Sequence, residues 1–210
     1  WAGEGGGVLL NQCPHQLDLL QWICGLPKRV QAFCHEGKWH DIEVEDDVTA
    51  YLEFENGATG VFVTTTGDAP GTNRFELTGT RGKLLCEDDV LTFWRLKEDE
   101  REFCRSSKEG FAKPETEKII VETDGENPQH VGVLNAFAAN ILRGEPLVAD
   151  GREGIRGLTL SNALHLSGWL HKPVEIPFDE DLFERELGKR RKNSRRKEGG
   201  DITFSTEGTY

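Results

Sequence analysis

The sequence predicts an α+β fold: an open-faced, mainly antiparallel β-sheet with helices packed on one of its faces. Segments of strand-like alternation succeed one another from residue 29 to residue 122 with no helical pattern between them, while helical periodicity is confined to the stretches before and after that block. Asn56-Gly57, placed between two of the alternating segments, is a hairpin signal for a two-residue type I′ turn with positive φ at both positions. Consecutive hairpins give antiparallel pairing. An alternating βαβ fold would interleave its strands with helices.

Residues 14–24 read as the first helix, with Pro14 either at its first position or kinking a helix that begins near Val8; Gly25 and Pro27 stop it. The strand-like segments are 29–34, 44–55, 59–66, 74–78, 83–86, 91–96 and 118–122. Between 129 and 142 the positions Val133, Leu134, Phe137, Ile141 and Leu142 recur at helical spacing and Gly144 ends the run. A further helix is predicted over 154–170, with Ile155, Leu158, Ala163, Leu166 and Leu170 on its buried side. Residues 179–192 form a last amphipathic helix. The boundaries expected are one domain over residues 1–188 and a basic stretch with a C-terminal tail over 189–210. The run "KRRKNSRRK" within the latter reads as a solvated helix end leading into the tail.

A formal net charge of -12 over 210 residues argues against a nucleic-acid binder, because polyanions attract basic surfaces. No apolar run approaches the roughly 20 residues that span a bilayer. Five cysteines without a CxxC spacing suggest free thiols and a cytoplasmic, reducing compartment. The start at Trp1 and the lack of methionine suggest a piece of a longer or processed protein, with any targeting signal upstream.

The stretch "GEGGGVLLNQCPHQLDLLQWICGLP" carries the candidate chemistry. A dinucleotide loop needs glycine at the first, third and sixth positions between a strand and a helix. Gly3 and Gly5 fit, but Val8 holds the sixth place and no strand precedes it. Asn11 and His15 are four residues apart, so they share a face if both are helical; if the helix begins at Pro14, Asn11 lies in the incoming turn. The positive end of a helix disfavours imidazolium, which suits His15 to accept a proton as a general base. A capping or packing role is the alternative. Asp18, one turn on, could orient the imidazole, or simply satisfy the charge preference of the helix start. Cys13, His15, Cys34, His35 and His40 match no zinc spacing, so no metal site is expected.

Three segments, "GGGVLLNQCPHQLDLLQWICGLPKRVQAF", "EVEDDVTAYLEFENGATGVF" and "DGREGIRGLTLSNALHLSGWLHKPVEIP", resemble in order the C-terminal domain of the glucose-fructose oxidoreductase, inositol dehydrogenase and rhizopine-catabolism (Gfo/Idh/MocA) family. The resemblance covers nearly the whole chain apart from residues 98–117 and the basic tail. It implies a two-domain oxidoreductase that uses NAD or NADP, bound mainly by an N-terminal Rossmann domain missing from this chain, to oxidise or reduce a sugar, inositol or related polyol. It also implies an Asp-x-x-x-His pair at the reacting carbinol and a lysine supplied by the first domain. His15 matches the histidine, while Asn11 stands where many members have the aspartate. An amide cannot take a proton, but it can donate to and accept from a sugar hydroxyl, so Asn11 is cast as a substrate-orienting residue. The chain alone is expected to be inactive and to form a homo-oligomer through the open sheet face. A non-catalytic binding or assembly protein retaining the fold is the alternative.

Overall fold

The computed structural model describes residues 1–3 and 5–195. It divides into two units, one of residues 1–67 with 149–210 and the other of residues 68–148. Arg196 and Lys197 of the basic run lie outside the described residues.

In the first unit a short helix, α1 (Val8–Asn11), turns into α2 (Pro14–Cys24), and three strands follow: β1 (Arg29–Glu36), β2 (Glu45–Glu53) and β3 (Thr59–Thr65). The second unit then intervenes. The chain returns through α5 (Gly154–Leu170), β8 (Val174–Glu175) and α6 (Glu180–Asn193). The sheet runs β3-β2-β1-β8, with every pairing antiparallel. Pro14 occupies the first turn of α2, where its missing N–H costs nothing. Gly25 ends the helix at φ 80°, a conformation that favours glycine.

The period-2 pattern of the strands separates the faces of this sheet. Val30, Ala32, Val48, Ala50 and Leu52 point inward and are buried, whereas Phe33, Tyr51, Val61 and Val63 point outward and are exposed. The inner face packs on α5, which also packs on α2. Leu9, Leu17, Leu160, Leu164 and Leu166 fill the interior, each side chain contributing roughly 1.5–3 kcal/mol by leaving water. Helix α5 approaches β1 closely at Gly168, where a Cβ would stand 2.7 Å from the Cys34 Sγ. β8 pairs with only Arg29 and Val30 of β1. Beyond it the Ala32 amide donates to the Ser167 hydroxyl at 2.9 Å, satisfying a backbone group that the short strand leaves uncovered.

The buried side expected for α5 is corrected in its first turns. Ala163 and Leu166 are buried, but Ile155 and Leu158 are exposed. Every residue from 160 to 168 except Asn162 is buried, because this part of the helix has the sheet on one side and α2 on another.

The second unit holds β4 (Arg74–Gly79), β5 (Gly82–Glu87), β6 (Val90–Leu96), α3 (Glu100–Ser106), β7 (Thr116–Ile120) and α4 (Gln129–Arg143). Its sheet runs β4-β5-β6-β7, again antiparallel throughout. The strands therefore form two four-stranded sheets. On α4 the periodic residues Val133, Leu134, Phe137, Ile141 and Leu142 are all exposed, and Ala139 is the buried position.

The hairpin at Asn56-Gly57 is present, but its turn is not type I′. Gly57 alone takes positive φ, at 84°, and its amide donates to Phe54 O while Phe54 N donates to Ala58 O. This is the three-residue loop ending in a left-handed glycine. Positive φ at both central positions occurs instead at Asp88 and Asp89, which join β5 to β6.

Candidate functional site

The glycine run folds into the start of α1. Gly7 is its N-cap, and the approach to β2 leaves no room there for any other residue, since a Cβ on Gly7 would stand 2.0 Å from the Glu45 carbonyl oxygen. Gly6 is less tightly enclosed, since its near neighbours are side chains, Leu10 and the His165 ring. These glycines bring the backbone against β2 and α5, and they form no dinucleotide cradle.

Glu45, the first residue of β2, closes this arrangement. Its Oε1 accepts hydrogen bonds from Gly7 N at 2.9 Å and Leu9 N at 3.1 Å, capping from another element two amides that a helix start leaves without partners. The same oxygen lies 3.0 Å from His165 Nε2, with both side chains only 1 % exposed. The ring nitrogen is not aligned as a directed donor, so the contact is mainly electrostatic. Burial raises the Glu45 pKa, but the His165 imidazole and the amides outweigh it and hold the carboxyl below its ordinary range.

Asn11 ends α1 and is exposed; its Nδ2 donates to Gly7 O at 3.4 Å and Gly6 O at 3.5 Å. The chain bends at Gln12 and Cys13. His15 is then the second residue of α2 and is exposed. Asn11 and His15 therefore belong to two successive helices, the arrangement in which Asn11 lies in the approach to α2. Asp18 accepts from Gln21 Nε2 at 2.9 Å, a partner other than His15. Both Cys13 and Cys34 have thiols pushed up to about 12 by burial, which leaves them poor nucleophiles.

Asp46 is fully buried beside Glu45. Its carboxylate accepts from Lys38 N, Trp39 N and His40 N at 2.8–2.9 Å. Burial raises its pKa, but these amides more than reverse that and hold it low. His35 contacts Asp47 instead, and among the described residues no cluster of His, Cys, Asp or Glu is arranged to hold a metal. Because the folded pKa values of Glu45 and Asp46 lie below their unfolded ones, both stabilise the fold above the ordinary carboxylate range. That contribution is lost as pH falls from about 4.5 through the lowered folded values. Thermal melts should accordingly show a steep loss of Tm on acidification, and Asp46→Asn should flatten it.

Residues 1–85 match the family model of the GFO/IDH/MocA C-terminal domain. They include Asn11, His15, Asp18 and Glu45, whereas His165 comes from the part of the chain beyond the match. A search of curated proteins returned no match. Among solved structures, the chain is similar to the WlbA dehydrogenase of Chromobacterium violaceum, crystallised with NADH and UDP-GlcNAcA, at 26 % identity over 83 % of this chain and 47 % of that one, with a TM-score of 0.62. The Bordetella pertussis WlbA dehydrogenase, with the same ligands, is 24 % identical over 83 % and 46 %, with a TM-score of 0.60. Aldose-aldose oxidoreductase from Caulobacter crescentus, complexed with glycerol, is 18 % identical over 81 % and 48 %, with a TM-score of 0.63. The chain thus spans about half the length of each of these three structures. No helix among the described residues is long and apolar enough to cross a membrane.

Sequence reasoning missed Glu45 and His165 as parts of the site. One signal was available for Glu45: three consecutive acids open an otherwise apolar strand, and buried carboxylates are tolerated there only when partnered. No local pattern could have paired it with a histidine 120 residues away.

Proposed function

We propose that this chain is the substrate-binding and oligomerisation domain of an NAD(P)-dependent oxidoreductase acting on a sugar, inositol or related polyol. The observation that carries this reading is the exposed pair at the α1–α2 junction, an amide that can orient a hydroxyl and an imidazole that can exchange its proton. Asn11 grips the hydroxyl group and His15 moves the carbinol proton, alone or with a lysine from the nucleotide-binding half. The nicotinamide supplies hydride chemistry. The cofactor is assigned to a partner nucleotide-binding domain, a reading supported by the absence of a GxGxxG spacing from the opening glycines.

Two measurements test the assignment. Calorimetry of the isolated chain with millimolar NAD or NADP should give no saturable heat, and saturable binding would overturn the division of labour. The full-length protein, assayed with a panel of hexoses, anhydrosugars, inositols and nucleotide sugars, should reduce the nicotinamide with at least one of them. A protein that binds such sugars but turns over none would favour the non-catalytic binding role.

The outer sheet face supports the oligomerisation role. Phe33, Thr49 and Val63 form one cross-strand row and Gln31, Tyr51 and Val61 the next, with Val61 70 % and Val63 63 % exposed. A second copy laid on this face would cover both rows. Val63→Asp should weaken self-association by at least about tenfold, since a buried unpaired charge costs more than 1.4 kcal/mol. Sedimentation at tens of micromolar checks this, and a wild-type monomer would count against the interface.

A further inference from the structure

We infer that Glu45, backed by His165, is the positioning residue of the candidate site, its carboxylate holding the start of α1 and thereby the placement of Asn11 and His15. The inference rests on the reading of those two residues as the substrate-facing pair.

The geometry forms a continuous chain of contacts. Glu45 Oε1 takes the Gly7 and Leu9 amides, and the carbonyl of that same Gly7 accepts from the Asn11 side chain. Leu9 is held from the other side, because the Ser161 hydroxyl of α5 lies 3.5 Å from its carbonyl. α1 is a single turn of four residues, too short to hold its own shape in water. Its orientation is therefore set by what grips its ends. His15 follows Asn11 after a two-residue bend, so the grip on α1 reaches both candidate residues.

His165 is well placed to back the carboxylate. Its ring stacks on Trp169 at 5.3 Å and 27° and meets the edge of Trp1 at 5.8 Å. The aromatic contacts fix the ring plane, and the ring walls the carboxylate at 3.0 Å without a directed hydrogen bond to it. The other carboxylate oxygen, Oε2, is buried without a hydrogen-bond partner among the described residues. Such a desolvated acceptor is costly, which is what is found where geometry has been kept at the expense of stability.

The test compares Glu45→Ala, Glu45→Gln and the core control Leu52→Ala, a buried change at the far end of β2. In this chain, amide exchange and chemical shifts are read at Gly7, Leu9, Asn11 and His15. Glu45→Ala should speed exchange at Gly7 and Leu9 by at least about tenfold and move the Asn11 and His15 resonances, while Leu52→Ala should leave these sites protected despite a comparable loss of Tm. Glu45→Gln keeps an acceptor oxygen, so it should restore most of the protection; it also carries the test if Glu45→Ala does not fold. In the full-length enzyme Glu45→Ala should lower kcat by roughly 10–100-fold with the cofactor KM within about twofold, the pattern of a displaced reacting group. Glu45→Ala and Leu52→Ala behaving alike in exchange would overturn the positioning role whatever the activity. Full turnover by His15→Ala would sink the functional reading instead, and the exchange result would still decide whether Glu45 holds α1.

Discussion

If His15 is the acid-base group, His15→Ala should lower kcat of the full-length protein by roughly 10²–10⁴, the usual range for a positioned acid-base group, with a much smaller effect on cofactor affinity. The reason lies in where the imidazole sits. It is exposed in the first turn of α2, outside the apolar core, so its removal creates no cavity. Thermal melts of the variant should match wild type within the scatter of a surface substitution. Asn11 gives the companion result. Asn11→Asp keeps a polar contact to a substrate hydroxyl and should retain more activity than Asn11→Leu. Near-normal turnover by a well-folded His15→Ala protein would return His15 to a surface helix residue.

Gly7→Ala should destabilise the chain by roughly 2–5 kcal/mol, in the severe tail of single substitutions. The added Cβ would stand 2.0 Å from the Glu45 carbonyl oxygen and 3.0 Å from the Val44 Cγ2. The first of these is backbone and cannot swing aside. α1 must move off β2, and the Glu45 bonds to Gly7 and Leu9 go with it. At about 2–4 °C per kcal/mol for a chain of this size, Tm should fall by several degrees or more. Gly3→Ala is the control, because a Cβ there meets nothing within 4 Å and the variant should melt within about 0.5 kcal/mol of wild type. Equal stability of the two variants would contradict the packing of α1 on β2.

The sequence was most legible where one residue type has one physical use. Pro14 and Gly25 bracket α2 at the positions expected, because the first lacks an N–H that a helix start does not need and the second takes φ 80°. Seven of the eight strands, β1 to β7, were visible through their alternation. Short elements were harder: α1, with four residues, was foreseen only as an alternative helix start near Val8, while α3, with seven residues in a charged stretch, and β8, with two, are too short for a period to register. The turn at Asn56-Gly57 was misread because a left-handed glycine serves several loop lengths, whereas Asp88-Asp89 adopted the mirror-image turn without any glycine. Ile155 and Leu158 were placed inside because a periodic stripe shows which residues could face a core, not how far along the helix that core extends. His15 and Asn11 were singled out from their spacing alone. Their support was not, because Glu45 and His165 come from a strand and a helix whose meeting is decided by the tertiary fold.

The tie between Ala32 and Ser167 spans 135 residues, and it sets a timetable for the nascent chain. At about 5–20 residues per second, the ribosome needs roughly 7–27 s after making Ala32 to deliver the serine that completes its bonding. Throughout that interval Val30, Ala32, Val48, Ala50 and Leu52 exist as a strand face with no α5 to cover it, while the whole inserted unit is being synthesised. Closure of the first unit's core therefore waits on a helix encoded far downstream, and β1 and β2 stay uncovered by α5 until it has been made.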